Sequence, residues 1–186
     1  MSATLIAPET ETQTRWKIDP AHTNVEFSAK HLMITTVRGR ISAVEGTITA
    51  DEQNPANSKV EVTLKAATLD TGIEQRDQHL RSADFLDVEN FPNITFRSKR
   101  IEGGREEFKL YGDLTIRGMT KGIVLDVTFE GRQKDPWGGE RVGFTARGKL
   151  DRREFGLTWN QALETGGVMV SNDIRVSIDV QAVKES

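Results

Sequence analysis

The chain has 186 residues, 25 basic against 28 acidic side chains, a formal charge of −3 and no cysteine. This length suits one domain with an adequate core and no covalent staples, and the missing cysteine excludes disulfides, thiolate metal sites and cysteine nucleophiles. The charge balance supplies no global basic field, which disfavours non-specific binding to nucleic acid or to an anionic membrane.

Residues 1–14 (MSATLIAPETETQT) read as a flexible N-terminal tail, with the domain proper over 15–186. The first basic residue is Arg15, and the apolar stretch Leu5-Ile6-Ala7 stops at Pro8. A secretory signal needs a basic start and a sustained apolar run, and no later segment approaches the ~20 apolar residues of a membrane span. The expectation is a cytoplasmic protein without stable membrane insertion, or a periplasmic one if a leader has been removed.

From Trp16 onward the dominant signal has period two. Val25, Phe27, Ala29 and His31 share one face, and the alternation recurs at Val60/Val62/Leu64/Ala66 and Phe108/Leu110/Gly112/Leu114/Ile116. It returns at Ile123/Leu125/Val127/Phe129, Val142/Phe144/Ala146/Gly148/Leu150 and Ile174/Val176/Ile178/Val180. Such runs are strands with one face buried and one wet. Shorter candidates are Val37–Ala50, split near Gly46, and Ile94–Ile101. Gly103-Gly104, Arg117-Gly118 to Gly122 and Asp135-Pro136-Trp137-Gly138-Gly139 are turn signals too short to hold crossover helices. The runs make about eight antiparallel strands, which a sheet usually manages by curling closed. The pattern predicts an all-β antiparallel barrel.

Two segments depart from it. Thr71-Gly72-Ile73-Glu74 fits a capping box, in which Thr71 accepts from the Glu74 amide and Glu74 reaches back. Ile73, Arg76, Asp77 and Leu80 then share one face of a short helix, followed by a turn carrying Phe85, Leu86, Val88 and Phe91 before Pro92. This short helical insert is placed to plug one end of the barrel. The stretch from Arg152 to Asn172 is long for a hairpin connection and carries Phe155, Leu157, Trp159 and Met169. It is either a lid or a loop packed on the outer wall.

Four strings together resemble the YceI-like family. They are Trp16-Lys-Ile-Asp-Pro-Ala-His22-Thr-Asn-Val-Glu-Phe27 with Lys30-His31-Leu-Met33; Arg76-Asp-Gln-His79-Leu80-Arg-Ser-Ala-Asp84-Phe85-Leu-Asp87 with Phe91-Pro92; Gly112-Asp-Leu-Thr-Ile-Arg-Gly118-Met-Thr-Lys121; and Asp151-Arg-Arg-Glu-Phe155-Gly156-Leu157. The resemblance runs from about Trp16 to the C-terminus. Its departures are small: Thr23 stands where serine is usual and Leu86 where a second aromatic is common. It implies a lipocalin-like eight-stranded barrel of a bacterial type that binds long polyisoprenoid or related lipids, in transport or storage. It allows a homodimer, for which the sequence shows no interface.

An eight-stranded barrel is about wide enough to fill with its own side chains or to hold one slender ligand. Burial contributes roughly 0.8 kcal/mol per CH₂, or about 3–4 kcal/mol gross per isoprene unit. Chain length should therefore supply affinity, and the headgroup, quinone-like or diphosphate, only selectivity. Candidate lining residues are Phe27, Ala29, His31 and Met33 on the first wall, and Phe144 further along. His79, Leu80, Phe85, Leu86 and Phe91 belong to the plug, and Phe155, Trp159 and Met169 to the loop. Headgroup candidates are His31, Arg76, His79 and Arg152. His31 is either a headgroup donor or a core histidine bonded to a backbone carbonyl. His22 is read as bonding locally to Asp19. Arg76 and Asp77 either contact ligand or pin the plug by a buried ion pair.

Neither metal nor cofactor is expected, since His22 and His31 match no zinc spacing. Two rivals to lipid binding are a self-filled barrel with a protein-interaction role and an aspartic-type hydrolase. The latter would use Asp70-Thr71-Gly72, yet that triplet leads into a polar helix instead of an apolar strand.

Overall fold

A computed structural model describes residues 12–186. The alternating segments form β1 (Gln13–Ile18), β2 (Asn24–His31), β3 (Thr35–Ile41), β4 (Val44–Asp51), β5 (Lys59–Lys65), β6 (Leu69–Asp70), β7 (Asn93–Gly103), β8 (Glu107–Ile116), β9 (Met119–Lys134), β10 (Glu140–Asp151) and β11 (Asp173–Lys184). One helix, α1 (Glu74–Arg81), lies between β6 and β7. All strand pairings are antiparallel.

Three pairs of segments are each one interrupted strand. β1 and β2 both lie along β11, with Ile18 opposite Ala182 and Asn24 opposite Asp179. In the same way β4 and β3 lie along β1 and β2, and β5 and β6 along β4 and β3. Counted as continuous, eight long strands form a ring that closes where β1 and β2 meet β11. This is the antiparallel eight-stranded barrel with a short helical insert that the pattern predicts.

The interruptions fall side by side and have local causes. Asp19 accepts from the Ala21 amide at 3.0 Å, and Pro20 has no amide to donate, so the chain makes one turn over Pro20–His22. In the next strand the Ala43 amide donates to Thr68 Oγ1 at 3.1 Å instead of to the ladder. In the third, residues Ala66–Thr68 make a tight turn. Aligned breaks let a sheet bend sharply enough to close. The split expected near Gly46 therefore lies at Ser42-Ala43. Gly46 stays within β4, where a Cβ would sit 2.4 Å from the Glu61 carbonyl oxygen. Likewise β1 begins inside the stretch expected to be tail, pairing Gln13 with Asp51 and Thr14 with Ala50. The remainder of that tail, residues 1–11, lies outside the described residues.

Alternation turns Val, Ile, Leu and Phe side chains of every strand to the inside, and the largest buried cluster gathers around Ile41, Leu69, Phe96, Leu114 and Phe155. Two inward glycines make room for aromatic rings on neighbouring strands. A Cβ at Gly39 would lie 2.4 Å from Phe27 Cζ, and one at Gly112 would lie 2.4 Å from Phe96 Cζ. Large and small residues thus interlock along the inner wall.

The β1–β2 break is fastened electrostatically. Asp19 Oδ2 accepts from His22 Nδ1 and from Arg141 Nη1, both at 2.8 Å, and Arg141 Nε also donates to Asp135 at 3.0 Å. His22 thus bonds locally to Asp19, as its spacing suggests. These bonds, from His22 first and then Arg141, hold the Asp19 carboxyl at about 2. A depressed carboxylate adds stability that is complete above about pH 4 and is lost as pH falls through its folded pKa. Asp19→Asn is expected to lower the melting temperature near neutral pH by about 2–4 °C. In thermal scans at descending pH, the gap from the parent should close as pH approaches 2.

Candidate ligand-binding site

The barrel is not filled by its own side chains. A cavity of about 750 Å³ occupies its interior, within the ~300–1,000 Å³ of small-molecule sites. Its lining reaches from His31, His79, Trp159 and Met169 at one end to Ser58, Gly104 and Arg105 at the other. Between these ends the wall is almost wholly apolar. Phe108 and Phe129 flank Phe144 with ring centroids 6.4 and 5.4 Å away, forming an aromatic wall across β8, β9 and β10.

One end is covered by the helical insert. α1 does not begin with the expected capping box: its N-cap is Ile73, which makes no side-chain cap bond and is 53% exposed. Thr71 and Glu74 do not reciprocate because Thr71 is engaged elsewhere. Its amide and hydroxyl both donate to Asp77, which is buried, and its hydroxyl accepts from Arg76 Nε at 2.7 Å. Arg76 Nη2 donates to the Thr71 carbonyl at 2.8 Å. Arg76 and Asp77 therefore meet at Thr71 and form no direct ion pair with each other. The helix side chains turned to the barrel are Arg76, Asp77, His79 and Leu80, without Ile73.

The second cover is the 152–172 stretch, which folds across the same end. The Arg152 side chain is buried, and its guanidinium donates to the carbonyls of Ser171 at 2.9 Å, Leu157 at 2.6 Å and Trp159 at 2.8 Å. Burial pushes its pKa down from the usual arginine value, and the carbonyl dipoles compensate the charge. The loop is tied to β2 as well. The Ser171 amide donates to the Lys30 carbonyl, and the Leu32 amide donates to the Met169 carbonyl. Trp159 meets the insert through edge-on contact with His79 at 4.7 Å and a tilted contact with Phe85 at 5.4 Å. The stretch thus lies over the barrel end and not on the outer wall.

Phe27, Ala29, His31, His79, Leu80, Phe85, Leu86, Phe144, Trp159 and Met169 line the cavity, as do Arg76 and Arg152. Three other candidates lie elsewhere. Met33 is 54% exposed on the β2–β3 turn, because β2 ends at His31 and its alternation with it. Phe91 packs on the β8–β9 turn, where a Cβ at Gly118 would lie 2.8 Å from its ring. Phe155 is fully buried in the core cluster behind the cavity. Of the four headgroup candidates, Arg76 and Arg152 hold backbone groups and His79 bonds Asp84 at 2.9 Å. Only the His31 ring has no hydrogen-bond partner among the described residues, so it is not bonded to a backbone carbonyl.

The sequence reading did not single out Trp16, Phe129, Arg105 or Arg132, which also line the cavity. Phe129 carried a signal, since it shares parity with Val127. Parity reports which face is buried, not which buried residues border empty space. Asp70 of the Asp-Thr-Gly triplet is exposed and accepts from the Gly72 amide at 2.7 Å, while Thr71 serves Asp77. Both residues therefore serve the turn that leads into α1. The described residues contain no cluster of three potential metal ligands.

Asp77→Ala would strand the Thr71 amide under the insert. It is expected to cost about 3 kcal/mol by denaturant titration, with the far-ultraviolet circular dichroism of the barrel retained.

The comparisons with known proteins agree with this geometry. Residues 16–182 match the model of the YceI-like domain. The chain is 37% identical over 172 residues to protein YceI of Salmonella newport, covering 91% of this chain and 87% of that one. The crystal structure of a Campylobacter jejuni YCEI protein superposes with a TM-score of 0.72 at 34% identity, covering 84% of this chain and 90% of the other. A domain from Saccharophagus degradans, described as polyisoprenoid binding, shares the fold with a TM-score of 0.66 at 11% identity, over 90% and 97% of the two chains.

Proposed function

The chain belongs to the YceI-like family, and from that premise we propose that it binds one long-chain apolar isoprenoid lipid along the barrel axis, as a carrier or storage protein and not as an enzyme. The observation that carries this reading is a cavity of about 750 Å³ running between the two barrel ends with a nearly continuous apolar wall. Such a wall rewards each added CH₂ and offers nothing to a polar substrate. The alternative of a self-filled barrel does not fit a void of that size. The description of the Saccharophagus degradans domain as polyisoprenoid binding supports the same ligand class.

The polar groups at the covered end favour a neutral headgroup. Arg76, His79 and Arg152 are engaged in holding the covers, which leaves His31 inside the cavity and the single cation Lys30 at its rim as the donors with capacity to spare. One imidazole suits a quinone or phenol oxygen. A buried diphosphate would need several free cations to offset its desolvation.

Native mass spectrometry of the freshly purified protein, followed by organic extraction, tests the proposal. One isoprenoid chain per subunit is the expected result. A clean ligand-free mass, together with no binding of purified isoprenoid quinones added back, would overturn it. Ala146→Phe projects a ring from the inner wall into the cavity and should weaken binding at least about tenfold while the protein stays folded. His31→Leu should weaken a quinone by roughly fivefold, the worth of one hydrogen bond, and leave a headgroup-free hydrocarbon unaffected.

A further inference from the structure

We infer that the β2–β3 turn docks the protein on the surface of an anionic lipid bilayer, beside the end of the barrel where the two covers meet. This rests on the lipid-cargo reading for its purpose, since a long isoprenoid resides in a bilayer and not in water, but not for its evidence. The turn places three large apolar residues in sequence at its tip, Leu32-Met33-Ile34, with Met33 54% and Ile34 76% exposed. Leu32 and Met33 both adopt left-handed backbone, φ 51° and 62°, closed by a bond from the Ile34 amide to the His31 carbonyl. Hairpin turns of this shape favour Asn-Gly, because bulky side chains are strained there. At the same end of the barrel, the β8–β9 turn carries one non-glycine residue in this conformation, Arg117 at φ 51°, followed by the expected glycine, Gly118 at φ 73°. The strained, exposed apolar tip has no folding rationale, and bilayer insertion supplies one.

Charge on the adjoining wall points to the occupant. The outer faces of β3, β11 and β10 below this tip carry Arg38, Arg175 and Arg147, all exposed: Arg38 and Arg175 flank Ser28 in one row, and Arg147 lies in the next, between Asp126 and Ser177, with Glu26 beyond Ser177. Exposed Lys30 stands beside them at the cavity rim. None of the four lies within ion-pairing distance of a carboxylate among the described residues. At the opposite end the two largest ion-pair groups are balanced, Arg132 with Glu52 and Glu140 and Arg141 with Asp19 and Asp135, while Arg105 has no ion pair among the described residues. The net charge of −3 therefore conceals a local cationic face. Apolar side chains entering the interface and cations meeting anionic headgroups are the two components of peripheral membrane binding.

The geometry also connects docking to loading. His31, at the base of the turn, lines the cavity, and the Leu32 amide holds the Met169 carbonyl of the covering loop. A bilayer gripping the tip would contact the cover directly.

The test is vesicle flotation of the full-length, lipid-stripped protein. Vesicles are pure phosphatidylcholine, or phosphatidylcholine with about one third phosphatidylglycerol. Binding to the anionic vesicles, weakened by added salt, is expected. Met33→Gly with Ile34→Thr should reduce it at least about tenfold with an unchanged or higher melting temperature, since glycine relieves the turn. Arg38→Gln with Arg147→Gln and Arg175→Gln should abolish the preference for the anionic vesicles. No flotation of the parent protein, or flotation unchanged in the tip variant, would overturn the inference. So would a parent dimer that the tip variant converts to monomer by light scattering without any vesicle binding, which would assign the tip to a second copy. Extracted cargo without flotation would leave the lipid-binding reading standing and remove only docking. Flotation without cargo would do the reverse.

Discussion

The structure depends on β11. This strand is bonded along its length to β10 on one side, and on the other to β2 by its first half and β1 by its second. That divided pairing closes the ring, so the amides and carbonyls of the wall find partners within the wall. A closed ladder has no need of interior polar groups, and this one carries very few. The apolar interior is thus permitted by closure: the backbone is satisfied sideways, and the inward side chains are free to be hydrocarbon.

Closure in turn demands curvature, which the breaks at Pro20–His22, Ser42-Ala43 and Ala66–Thr68 supply on adjacent strands. The Asp19 cluster fastens the first break, and Thr68 serves the other two by accepting from Ala43 while belonging to the third turn. Opposite this bent wall, β8, β9 and β10 are long and carry the aromatic rings. The two halves have different work: one bends to shut the barrel, the other presents an aromatic-rich apolar surface along its axis.

The covered end concentrates nearly all the buried polarity of the protein, and most of it holds backbone. Arg152 gathers the loop carbonyls, Asp77 gathers Thr71, and Arg117 Nη1 donates to the Phe85 carbonyl at 3.0 Å. Charges used this way fix two irregular segments over a cavity without exposing unsatisfied groups to it. The result is a site whose selectivity for hydrocarbon comes from the wall, and whose small remaining polarity, at His31, stands next to the left-handed Leu32-Met33 turn.

What the amino-acid order determined by itself is local and periodic. Alternation from Val25 to Val180 specified the strands, their inward sets and, with short connections, antiparallel closure, because period two is imposed by the pleat of each strand separately. Gly, Pro and Asp marked the turns for equally local reasons, and the four strings carried the family. Tertiary structure alone decided the rest. Thr71 looked like a helix cap, but Asp77 and Arg76 claimed it. Arg152 looked like a headgroup ligand, but four residues of the loop it opens brought their carbonyls to it. Phe91 and Phe155 were apolar enough for a cavity wall, yet packed behind it, while Trp16 and Phe129 came to border the void. Whether an inward side chain touches core or empty space depends on what the opposite wall places there, and no periodicity within one strand contains that information.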